Sequence, residues 1–119
     1  MSDKLIQSQR RLHDSLFELY MDGGLELFQA GTRGLKRDLI NRLETSALTP
    51  EKGDIIHFYA LNRCDEEDVF DEWAKPSRPL TAEAEEIIGV TNEQLAHCRS
   101  TDAVMYDFLR FQDAPHMLS

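Results

Sequence analysis

Residue types that could do chemistry are few and scattered in this chain. The run Arg42-Leu43-Glu44-Thr45-Ser46-Ala47-Leu48 carries Glu44 among small and apolar residues. In an extended segment, side chains two apart share a face, so Arg42 and Glu44 would point the same way. Read from the residues alone, Glu44 is an ordinary polar residue at an element boundary, and the sequence leads us to expect no metal site. Ser46, Ser77, Ser100 and Cys98 have no nucleophile elbow and no local base. Cys64 and Cys98 lie far apart, and His13, His57, His97 and His116 are scattered, so none falls at metal-ligand spacing. Gly31-x-x-Gly34 with Lys36 and Arg37 lacks the spacing of a phosphate-binding loop.

Two surfaces stand out as candidate partner sites. The acidic run Asp65-Glu66-Glu67-Asp68, extended by Asp71 and Glu72, suits a basic partner; read plainly, it is a solvated loop between two strands. The first helix offers Leu5, Leu12, Leu16 and Tyr20 to its own core, to a second copy of the chain or to a protein partner.

The elements that must position these residues follow from pattern. Leu5, Leu12, Leu16 and Leu19 recur on one side of a helix over Asp3 to Met21, stopped by Gly23-Gly24. A short helix is expected from Leu25 to Ala30. Leu35, Leu39, Ile40 and Leu43 again recur at helical spacing, which puts a helical part at 1–43. Aromatic and β-branched residues predict a strand from Asp54 to Asn62 and a weaker one from Val69 to Ala74, joined as a hairpin by the acidic loop. Short helices follow at Ala82 to Ile87 and after Thr91, where Gln94 completes capping-box spacing. Thr101 or Asp102 caps a last helix bearing Val104, Phe108, Leu109 and Phe111, with Pro115 beyond its end. The expected fold is α+β: one domain over 1–119 with a small antiparallel sheet, amino-terminal helices and a carboxy-terminal helix packed against it.

Composition narrows the function. The 119 residues carry a net charge of −9. Met1 to Pro50 is balanced, seven basic against seven acidic residues, so the whole imbalance falls in the second part. Such a surface repels phosphates, which disfavours direct nucleic-acid binding. No apolar run is long enough for a bilayer, and the start Met1-Ser2-Asp3-Lys4 has no signal-peptide core, so a cytoplasmic protein without membrane contact is expected.

Taken in order, the segments Glu44 to Pro50, Asp54 to Leu61, Trp73-Ala74-Lys75-Pro76-Ser77-Arg78-Pro79-Leu80 and Ile87-Ile88-Gly89-Val90-Thr91 resemble the first half of the DEDD 3′ to 5′ exonucleases, the proofreading epsilon subunits and ribonuclease T-like enzymes. The resemblance runs from Glu44 to Gln112 and implies a partial ribonuclease H-like fold whose first strand is Leu39 to Thr45, in conflict with the helical periodicity there. In that family the first strand ends in Asp-x-Glu-Thr-Thr-Gly-Leu, and the two acids hold a pair of Mg²⁺ ions. Here Glu44 keeps the second position, the one match to a catalytic position of the family, and Arg42, whose guanidinium keeps its proton and cannot be a metal ligand, takes the first, while Ile88 stands where the family usually has a His. The family's later Asp and His motifs have no counterpart up to Ser119. The resemblance therefore implies a degenerate half exonuclease: a noncatalytic module that binds a protein partner, basic or itself nucleic-acid-processing, and regulates or inhibits a nucleic-acid enzyme. Two alternatives accompany it. One is a split or residual exonuclease using Mg²⁺ or Mn²⁺ with ligands from a second chain. The other is an acidic adaptor unrelated to nucleases, favoured if the region around Glu44 is helical.

Overall fold

A computed structural model describes residues 3–22 and 38–112, apart from the side chains of 3–6 and 8. Helix α1 (Asp3–Met21) is followed by strands β1 (Leu39–Thr45), β2 (Ile55–Asn62) and β3 (Asp65–Trp73), then helices α2 (Ala82–Ile88), α3 (Asn92–Leu95) and α4 (Thr101–Phe111). The strands form one antiparallel sheet in the order β1-β2-β3. This is the expected α+β architecture, with helices at both ends. The expected Leu25 to Ala30 helix, the Gly31 to Arg37 segment, Pro115 and His116 lie outside the described residues.

The conflict over Leu39 to Thr45 resolves as strand, so Leu39 to Leu43 do not belong to the helical part expected over 1–43. Ile40 separates the two readings. On a helix it would join Leu39 and Leu43 in the core, whereas here it is 38% exposed and Leu39, Asn41 and Leu43 are buried in strict alternation. Pairing with the strongly strand-forming β2 overrides local helix propensity. The acidic run also departs from the expected loop. Asp65 to Asp68 is the beginning of β3 and not a loop; the hairpin turns at Arg63-Cys64.

One face of the sheet carries the core. Leu43, Phe58 and Ala60 pack against Leu16 and Phe17 of α1 and Val104, Met105, Phe108 and Leu109 of α4. Phe108 lies 5.4 Å from Phe58 and 5.7 Å from Phe70, ring centroid to centroid. Gln112, just past α4, donates from Nε2 to Asn41 Oδ1 at 2.6 Å inside this core. A second, smaller cluster of Ile56, Leu80 and Leu95 ties α2 and α3 to the end of the sheet. The helix starts follow from side-chain caps. Thr81 and Ser100 accept from the N–H groups of Ala84 and Ala103, and Thr91 and Gln94 form the capping box expected from their spacing. Gly89 ends α2 at φ 83°, a left-handed conformation that glycine adopts without a side-chain clash.

Candidate functional site

The strand alternation that buries Leu43 turns its neighbours to the opposite face. Directly paired residues of antiparallel strands share a face. Glu44 pairs with His57 and Arg42 with Tyr59. Across β2, His57 pairs with Trp73 and Tyr59 with Asp71. Arg42, Glu44, His57, Tyr59, Asp71 and Trp73 thus occupy the face of the sheet turned away from α1 and α4. At the margin of this face Ile40 and Val69 are 38% and 43% exposed.

His57 organises the centre of the face. Its ring stacks on Trp73 with centroids 4.2 Å apart and planes 18° from parallel. Its Nε2 lies 2.6 Å from Asp71 Oδ1. In the tautomer that donates Nε2–H to this carboxylate, Nδ1 is an acceptor. That atom is shielded from water and has no partner, and the same holds for Oε2 of Glu44 on the paired strand. Arg42, exposed, forms no ion pair among the described residues. Among those residues no group of three or more His, Cys, Asp or Glu side chains is placed to hold a metal ion.

The structure divides the remaining sequence candidates. Asp65, Glu66 and Glu67 are exposed at the hairpin end, with Asp65 Oδ1 accepting from the Glu67 N–H at 3.1 Å. Asp68 is half-buried and accepts from Asn62 Nδ2 at 3.1 Å. The extension of this patch is split between the two faces. Asp71 belongs to the open face, while Glu72 forms a two-pronged pair with Arg99, at 2.9 Å from both Nε and Nη2. Asp107 adds a further contact to Arg99 at 2.8 Å. The hydrophobic stripe of α1 is also no open surface. Leu16 is fully buried, and Leu12 and Tyr20 lean on the same core. The side chain of Leu5 lies outside the described residues. Cys64 and Cys98 are free thiols, Ser46 and Ser100 accept from the backbone N–H groups of Asp54 and Ala103, and Ser77 donates its own N–H to the Asp54 carboxylate.

Sequence reading missed a polar hub at the other end of β2. Asp54, 1% exposed, accepts from Arg10 Nη1 at 2.7 Å and from the N–H of Ser77. Arg10 also donates to the carbonyls of Pro50 and Gly53 at 2.9 and 3.3 Å and pairs with Asp14 at 3.1 Å. One turn on, the buried His13 accepts from the N–H of Ile55 at 3.0 Å. Burial pushes the Asp54 carboxyl up, but the Ser77 N–H and the Arg10 guanidinium outweigh it and hold the group below its ordinary value of 3.8. The signal in the chain was only one of two adjacent arginines on the helix and an Asp before a strand, 44 residues apart.

Over 71 residues, 57% of this chain, the sequence is 37% identical to a protein of Thermotoga petrophila described as DNA polymerase III PolC-type. The match spans 5% of that protein's length. It is a distant link to a nucleic-acid enzyme. No protein-family model matches the chain. No solved structure matches it significantly. Among the described residues, no helix is long and apolar enough to cross a membrane.

Proposed function

We propose that this chain is a noncatalytic protein-interaction module, related to the first half of a DEDD exonuclease, that regulates or inhibits a nucleic-acid enzyme. The observation that carries the reading is the pair Arg42 and Glu44, two residues apart on one face of β1. Glu44 occupies the position of one of the family's metal-holding acids, and a permanent cation stands in place of the other. A guanidinium there repels the divalent ion that two-metal chemistry requires. The distant similarity to a DNA polymerase supports the exonuclease ancestry. The exposed acids of the hairpin support attraction to a basic protein surface over attraction to nucleic acid.

The test is incubation of the purified chain with end-labelled single-stranded DNA and RNA in Mg²⁺ or Mn²⁺, beside Glu44→Ala. The expected result is no shortening of either substrate by either protein. Cleavage that Glu44→Ala abolishes would overturn the reading in favour of a residual metal-dependent exonuclease, possible only if a further ligand completes the site.

A further inference from the structure

Resting on that reading, we infer that the open sheet face receives an arginine side chain of the partner protein between Glu44 and Asp71, against the rings of His57 and Trp73. Three features of the face point to this occupant. Among the described residues, its charged groups are the carboxylates of Glu44 and Asp71 and the guanidinium of Arg42, and the exposed Asp65, Glu66 and Glu67 at the hairpin end extend the acidic sign. Among the described residues, the two buried polar atoms of this face that lack a partner, Glu44 Oε2 and His57 Nδ1 with Nε2–H given to Asp71, are both acceptors, which a donor would satisfy. Beside the carboxylates lie the stacked rings of His57 and Trp73 and the half-buried Tyr59, and a guanidinium packs favourably against such rings.

Both acceptor atoms are shielded in the free chain. Binding therefore draws the Glu44 side chain outward. The inward carboxylate oxygen has no partner to lose, so the movement exchanges an unsatisfied acceptor for a charge-assisted hydrogen bond. A guanidinium fits this task better than an ammonium because its planar fork serves a carboxylate and a ring together.

The experiment titrates the full chain with a blocked hexa-arginine peptide and follows emission from Trp73, the single tryptophan. Saturable binding with a change in Trp73 emission is expected. Glu44→Gln should weaken it about tenfold, the loss of one charge-assisted contact. Asp71→Asn, at an exposed carboxylate, should weaken it by roughly severalfold. Arg42→Ala should tighten it, since removing a like charge helps an incoming cation. A variant with Asp65→Asn, Glu66→Gln and Glu67→Gln should bind more weakly yet show the same Trp73 change at saturation. Binding that ignores Glu44 and Asp71 and leaves Trp73 unchanged would overturn this site while leaving the noncatalytic reading, which the nuclease assay decides. Absence of peptide binding would also overturn the inference. In a parallel arm with a single-stranded oligonucleotide, a Trp73 response that Arg42→Ala weakens would identify an anionic occupant and overturn it as well.

Discussion

Two polar regions flank β2, and they are finished to different degrees. At the start of the strand, Asp54, Arg10, Ser77 and His13 form a hub in which each carboxylate oxygen of Asp54 has a donor. Two residues into the strand, on the open face, Glu44 and His57 lie side by side with one acceptor each unmatched. Buried polar groups stabilise a fold only when they are satisfied. The hub is therefore structural. It fastens α1 to the segment before β2, while the open face holds polar groups that the fold itself does not use. Acidity alone does not distinguish the two sites; the completeness of the hydrogen bonding does.

Substitutions should separate the regions by magnitude. Arg10→Ala is expected to have the largest effect, about 2–3 kcal/mol in denaturant unfolding, because it leaves the Asp54 charge buried without its guanidinium. Adding Asp54→Ala to it should recover part of the loss, and strict additivity would show that the two groups are not coupled. Gly53→Ala should cost about 2 kcal/mol, since a Cβ there would lie 2.5 Å from Ser46 Oγ and 2.9 Å from the Ala47 nitrogen. A thermal shift of less than a degree would show that this loop yields.

Acid should act through the same hub. Asp54 has a folded pKa below its ordinary 3.8, so the folded state binds fewer protons than the unfolded chain in that range. Its contribution is present above about pH 4 and is lost as pH falls through the lower, folded value. Unfolding measured down to pH 2 should show this fall, and Asp54→Asn should flatten it while lowering stability at neutral pH. The smallest effect is expected at the open face: Glu44→Gln should change stability by less than about 0.5 kcal/mol. A cost approaching that of Arg10→Ala would erase the contrast between the regions.

Much of the fold could be read along the chain. The α1 boundaries, Asp3 to Met21, follow from leucine spacing and the glycines after it, and the Thr91–Gln94 capping box was visible as spacing alone. The β2 strand was legible from its aromatic and β-branched residues. These features rest on neighbours within a turn or two, and local propensity reports on such neighbours directly. Position 42 was equally legible: whatever the fold, an arginine two residues before Glu44 alters the chemistry open to that face.

Tertiary structure decided the rest. Leu39 to Thr45 carries helical spacing, yet it extends because β2 offers a complete ladder and because the alternation buries Leu39, Asn41 and Leu43 together. Pairing likewise turned the acidic run into strand and sent Asp71 and Glu72 to opposite faces. The hub joins Arg10 to Asp54, and the open face joins Glu44 to His57 and Asp71, through contacts between separate elements. Local sequence sets which backbone conformations are cheap, but cross-strand register and helix docking choose which distant side chains meet, and in this chain those meetings separate the satisfied carboxylate from the one left open.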